Sequence, residues 1–113
     1  MTIINFINEF RQSCNKEPVK YWNRVLDDHC LSHVLAMINS GELYHAPKDY
    51  LKDYGEIVAC CDFRNNWDET FRYLIFEIIG NSLDHKKILL ESQELGYGIM
   101  SDKGKVWITI RGK

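Results

Sequence analysis

Ile79-Gly80-Asn81-Ser82-Leu83-Asp84-His85-Lys86-Lys87-Ile88-Leu89-Leu90, followed by Glu94-Leu95-Gly96-Tyr97-Gly98-Ile99, is the stretch on which the fold turns. Gly80-Asn81 ends one helical pattern, Ser82 opens a short second helix, and His85 falls in the first turn of that helix. A glycine-dotted strand follows at once. A titratable side chain is thereby set at a helix start beside a sheet. Gly96 and Gly98 share one face of their strand, where missing side chains let a helix or a ligand approach the backbone; helix packing is the simpler reading.

Downstream, Leu95 to Met100 and Val106 to Arg111, joined by Ser101-Asp102-Lys103-Gly104-Lys105, form the clearest hairpin. Val106, Ile108 and Ile110 share one face and Trp107, Thr109 and Arg111 the other, and one of these faces must be core. Upstream, Asn66 with Glu69 three residues later marks a helix start. Trp67, Phe71, Leu74 to Ile75 and Ile78 then line one face as far as Gly80, an aromatic-rich stripe that reads as core. Ile57-Val58-Ala59-Cys60-Cys61 is a short strand expected to be buried on both faces.

Earlier still, Val25 to Asn39 carries two adjacent apolar stripes, Leu26, Cys30, Val34 and Met37 beside Leu31, Leu35 and Ile38. So wide an apolar surface predicts a central helix buried over most of its circumference. Asp27 and Asp28 suit its first turn, and Asn39-Ser40-Gly41 supplies the stop. His29 and His33 stand four apart on it, a metal-capable spacing, but packed or surface histidines are the simpler reading. Residues 2 to 13 form a short amphipathic helix with Ile3, Ile4, Ile7 and Phe10 inward and Asn5, Asn8, Arg11 and Gln12 outward. Asn15-Lys16-Glu17-Pro18 breaks that pattern, and a loop runs on to about Asn23. Residues 41 to 55, with Tyr44, His45, Tyr50 and Tyr54 interleaved among Gly41, Pro47 and Gly55, read as a long functional loop.

The totals bound the answer. With 113 residues the chain is one domain, 1–113, large enough for a core and too short for two. A net charge of −2 leaves no electrostatic footprint for nucleic acid or an anionic membrane surface. No apolar run approaches the ~20 residues of a membrane-spanning helix, and the start lacks the basic flank and apolar stretch of a signal peptide. By itself that start predicts a soluble, cytoplasmic chain. Cys14, Cys30, Cys60 and Cys61 lack Cys-x-x-Cys spacing, so free packing thiols are expected in preference to two disulfides, with Cys60 and Cys61 on opposite strand faces.

The element order is helix, helix, strand, helix, short helix, hairpin. By layer rules this gives an α+β fold with helices on both faces of a small, mostly antiparallel sheet. Four local patterns in that order resemble the CAP superfamily, the cysteine-rich secretory, antigen 5 and pathogenesis-related proteins, in its small bacterial SCP-like form. Ile7-Asn8-Glu9-Phe10-Arg11 is similar to the family's Asn-x-x-Arg helix. Leu26, Cys30, His33, Val34, Met37 and Gly41 look like its Leu-x-x-x-Ala-x-x-His-Ala-x-x-Met-x-x-x-Gly helix, with Cys30 in the alanine place. His45 followed by Gly55-Glu56 is similar to its loop histidine and Gly-Glu-Asn motif. Asn81, Ser82 and His85 with Glu94-Leu95-Gly96-x-Gly98-Ile99 complete the match. Ile57 replaces the motif's Asn, and Ile79 stands where bacterial members carry Trp.

The resemblance implies a three-layer α-β-α sandwich, an extracellular protein, and an open cleft lined by His45, Glu56 and His85, with Glu77 or Glu69 as a fourth member. Two imidazoles and a carboxylate are a three-ligand set for Zn²⁺ or another divalent cation, with a position left for water. From this follow a ligand-binding or interaction module taking a metal, lipid, sterol, peptide or other small apolar molecule, a metal-dependent hydrolase using the same three residues, or a purely structural interaction domain. In the last case the cluster is a hydrogen-bonded patch tying the 41 to 55 loop to the helix that starts at Ser82.

Overall fold

A computed structural model describes residues 2–47 and 53–113, so Tyr50 of the long loop lies outside the described residues. Helix α1 is Ile3–Ser13, strand β1 Tyr21–Trp22, α2 Arg24–Ser40, β2 Gly55–Asp62 and α3 Trp67–Arg72, continued by a π-helical segment, Tyr73–Ile79. Then come α4, Leu83–Glu91, and the hairpin of β3, Glu94–Asp102, and β4, Lys105–Gly112. The sheet runs β1-β3-β4-β2, antiparallel at β3–β4 and β4–β2 and parallel where the two-residue β1 joins β3. The fold is α+β, with α2 on one face of the sheet and α1, the π-helical segment and α4 on the other. Strand β1 lies in what the sequence reads as plain loop. Two residues are too few to show a period, and their pairing with Glu94 and Leu95 is wholly tertiary.

The hairpin closes more tightly than its five-residue link suggests. Asp102 pairs with Lys105, and only Lys103 and Gly104 turn, both at positive φ, 51° and 80°. That geometry matches the twist of the strands, and its closing pair is hydrogen-bonded. By the antiparallel alternation, Lys105, Trp107, Thr109 and Arg111 then bond to β3, while Val106, Ile108, Ile110 and Gly112 turn their backbone groups to β2. On β2, Gly55, Ile57, Ala59 and Cys61 take those bonds. Glu56, Val58, Cys60 and Asp62 aim their N–H and C=O at the outer edge of the sheet. The Phe63 N–H, 2.8 Å from the Gly104 carbonyl, obeys the same alternation.

Both faces of β4 are core, where the sequence assigned only one with certainty. Ile57, Ala59, Val106, Ile108 and Ile110 bury against Ile3, Phe6, Ile7 and Phe10 of α1 together with Leu74, Ile75, Ile79 and Leu89. On the opposite face Val58 and Trp107 pack on Val34 and Met37 of α2. Cys60 faces the α2 side and Cys61 the other, as alternation requires, and all four cysteines are free. Burial pushes the Cys30 thiol up to about 12 and Cys61 to about 11, so both stay protonated and serve as small apolar groups.

Helix α2 is not buried over most of its circumference. Leu26, Cys30, Val34 and Met37 are covered, but Leu31 is 37% exposed, Leu35 43% and Val25 61%. Among the described elements the helix packs chiefly on β3 and β4, and its second stripe faces outward. Its approach to β3 is nevertheless very close. A Cβ on Gly96 would lie 2.9 Å from the Asp27 amide nitrogen, and one on Gly98 would fall 2.6 Å from the Cys30 carbonyl carbon and closer still to the Leu31 backbone. Helix packing is therefore what these glycines serve. Because backbone atoms cannot swing aside, Gly98→Ala is expected to cost about 3 kcal/mol, the upper part of the overpacking range, measured by urea unfolding. A loss below about 0.5 kcal/mol would mean that α2 lifts off the sheet freely.

Asn66 caps α3 as read, its Oδ1 accepting the Glu69 N–H at 2.8 Å. From Tyr73 onward the winding loosens, and the Gly80 N–H bonds the Ile75 carbonyl at 2.8 Å across five residues. This shifts the buried set to Leu74, Ile75 and Ile79, and leaves Trp67, read as core, 41% exposed against Phe63 and Phe71. On α1, Arg11 also departs from expectation. It is 4% exposed, with Nη1 donating to the carbonyls of Leu89 at 2.6 Å, Leu90 at 3.2 Å and Ser92 at 3.0 Å, and Nε donating to the Glu17 carbonyl at 2.7 Å. An arginine that looks outward on a helical wheel instead satisfies carbonyls at the end of α4.

Candidate functional site

The loop that follows α2 begins at Gly41, whose φ of 74° and N–H bond to the Met37 carbonyl end the helix. Two histidines then pin the segment 42–47. Buried His33 donates from Nε2 to the Tyr44 carbonyl at 2.6 Å, and the two rings meet edge to face, 4.9 Å between centroids. With that nitrogen engaged, His33 acts as a latch rather than as half of a metal pair with His29.

Farther along, His45 Nδ1 donates to Glu56 Oε1 at 2.8 Å, and the Ala46 N–H donates to the same oxygen at 2.8 Å. The other oxygen, Oε2, lies 2.7 Å from Arg111 Nη2, at an angle that makes the contact an ion pair rather than a directed hydrogen bond. Glu56 and Arg111 stand directly opposite on β2 and β4, in a pair without ladder hydrogen bonds, where side chains come closest. Their side chains are 9% and 8% exposed, while that of His45 is 64% exposed. A buried charge pair thus holds an exposed imidazole in place. Because a carboxylate only accepts, Nδ1 of His45 carries a proton, which in the neutral ring leaves Nε2 as the acceptor.

His85 is the third residue of α4, which rests on the start of β2. Ile88, one turn further on, fills the space over Gly55, where a Cβ would lie 2.9 Å from its Cδ1. Burial first, and then the charge of His45, hold the His85 pKa below its usual 6.5, partly opposed by Asp84. The helix N-terminus acts in the same direction. His45, Glu56 and His85 therefore gather at the start of β2, with His45 and Glu56 in contact and His85 within electrostatic reach. Glu69 and Glu77 are exposed. Glu69 accepts a hydrogen bond from Asn65 Nδ2, and among the described residues neither acid bonds to the other three.

As a third metal ligand Glu56 would have to give up one of its present partners. Both of its oxygens are engaged, and among the described residues no three His, Cys, Asp or Glu side chains are grouped to hold an ion. What remains are the two imidazoles. Arg111 is the member of the site that sequence reading missed. Its position opposite Glu56 across β2 and β4 is a register that neither strand displays alone, although its place on the Trp107 and Thr109 face was a usable signal.

No family model matches the chain, and no curated protein matches it. Among solved structures it is similar to an outer surface protein from Borrelia burgdorferi, at 13% identity and a TM-score of 0.71, over 97% of this chain and 88% of that one. The likeness is one of fold. Among the described residues no helix is long and apolar enough to cross a membrane.

Proposed function

We propose that this chain is a CAP-like binding module acting outside the cell. In it His45 and His85 contact the ligand, and Glu56 with Arg111 is the scaffold that presents His45. One observation carries the reading: an exposed imidazole is fixed through Nδ1 by a buried carboxylate, within electrostatic reach of a second histidine whose pKa burial holds down. Two neutral imidazoles suit a divalent cation or a ligand that donates hydrogen bonds. Both oxygens of Glu56 already face partners, His45 and Ala46 on one and Arg111 on the other, which weighs against the hydrolase reading. The extracellular placement rests on the resemblance and on the surface-protein name of the structural neighbour.

The test is a calorimetric Zn²⁺ titration at pH 7.5 and 5.5 with the His45→Ala, His85→Ala double variant as control. Binding at the higher pH that weakens at the lower and vanishes in the variant is expected, because protons compete for the imidazoles. Binding that survives in the variant removes this pair from the site. Metal-dependent hydrolysis that is lost in Glu56→Gln would restore the enzyme reading. The depressed His85 pKa also sets a pH dependence without metal. The unfolded chain binds the His85 proton more readily, so stability is full above about pH 6.5 and declines as pH falls toward the folded value. His85→Asn is expected to flatten that decline in a pH series of urea melts; an unchanged slope would assign it to other groups.

A further inference from the structure

The far end of β2 carries a second surface. Six residues beyond Glu56, or about 20 Å along the strand, the backbone groups of Cys60 and Asp62 face the sheet edge. Beside them lies a groove of about 510 Å³ lined by Cys60 to Arg64, by Tyr73 and Ile78 of the π-helical segment, and by Lys105. Edge strands are ordinarily blunted by proline, bulges or lysines. This one pairs without a bulge from Gly55 to Asp62 and carries none of these between Val58 and Cys60.

The groove has a fixed cation. The Arg64 guanidinium lies 3.7 Å over the Tyr73 ring, and the Arg64 N–H donates to the buried Thr70 Oγ1 at 3.0 Å, so both ends of the residue are held. Among the described residues no carboxylate pairs with Arg64. The groove lining carries one carboxylate, Asp62, against Arg64 and Lys105, a net charge of +1. A donor and acceptor row unpaired among the described residues, beside a pre-positioned guanidinium, matches strand addition by a peptide with a carboxylate on one face.

We propose that the Val58 to Asp62 edge of β2 accepts an extended acidic peptide as a further strand, its carboxylate bonded to Arg64 and the neighbouring side chain on that face against Ile78. This surface is separate from the histidine pair. The probes are two fluorescein-labelled hexapeptide pools in which Val, Ile, Thr or Tyr alternates with Glu in one and with Lys in the other, read by anisotropy and by amide hydrogen exchange. The Glu pool is expected to bind about tenfold tighter or more, the worth of one charge-assisted contact. It should slow exchange at Cys60 and Asp62, and Arg64→Glu should reverse the preference. Cys60→Pro removes an outward N–H but no bond to β4, so it should abolish binding while thermal unfolding stays cooperative. Binding of neither pool overturns the proposal. So does Glu-pool binding that leaves exchange at Cys60 and Asp62 unchanged, which would mean a simple anion site at Arg64.

Discussion

Glu56→Ala is expected to destabilise the protein by about 4 kcal/mol, because it leaves the Arg111 guanidinium buried without its carboxylate. The Ala46 N–H and His45 Nδ1 lose their acceptor in the same step. The two effects separate in a double-variant cycle. Arg111→Met alone strands the carboxylate and should cost nearly as much, whereas the pair Glu56→Ala, Arg111→Met removes both charges and should recover about half of the loss. Urea melts at pH 7.5 read all three. Additive losses would mean that the two side chains do not act as a pair. The recovered double variant should still lose Zn²⁺ binding if Glu56 is what aims His45.

Arg11→Ala is the other large expected effect, again about 4 kcal/mol, from a different cause. Four carbonyls, those of Glu17, Leu89, Leu90 and Ser92, lose a charged donor at once, and hydrogen bonds to charged groups are worth about 1.5–3 kcal/mol each before neighbours relax. Water entering the gap offsets part of the sum. Arg11→Lys keeps the charge but cannot span the same fork, so it should recover less than half. Because the affected carbonyls lie at and just beyond the end of α4, amide exchange at Ser92 and Gln93 should rise in both variants. A loss of less than about 1 kcal/mol with unchanged exchange would show that α4 is held by Leu89 and its neighbours alone.

His45, Glu56 and His85 were legible as candidates through the resemblance to the CAP superfamily, whose loop histidine, Gly-Glu and Asn-Ser-x-x-His patterns they match. Their roles were not legible. Whether Glu56 is a free ligand or half of an ion pair depends on which residue stands opposite it, and Arg111 is fifty-five positions away. His33 looked like packing or a metal partner and proved to be a latch, since its hydrogen-bond partner is the carbonyl of Tyr44, a group that every residue type carries.

Local chemistry in the sequence was enough for the helix ends at Asn66 and Gly41, the β3–β4 hairpin, the opposed faces of Cys60 and Cys61, and the α+β order of elements. Caps, positive-φ turns and side-chain alternation act within a few residues, so their causes are written side by side. The tertiary structure alone decided the pairing of β1 with β3, the outward turn of Leu31 and Leu35, the burial of Arg11, the loosened winding after Arg72 and the Glu56–Arg111 pair. Each of these depends on which surface another element leaves open or covers, a property of the assembled layers rather than of any one segment.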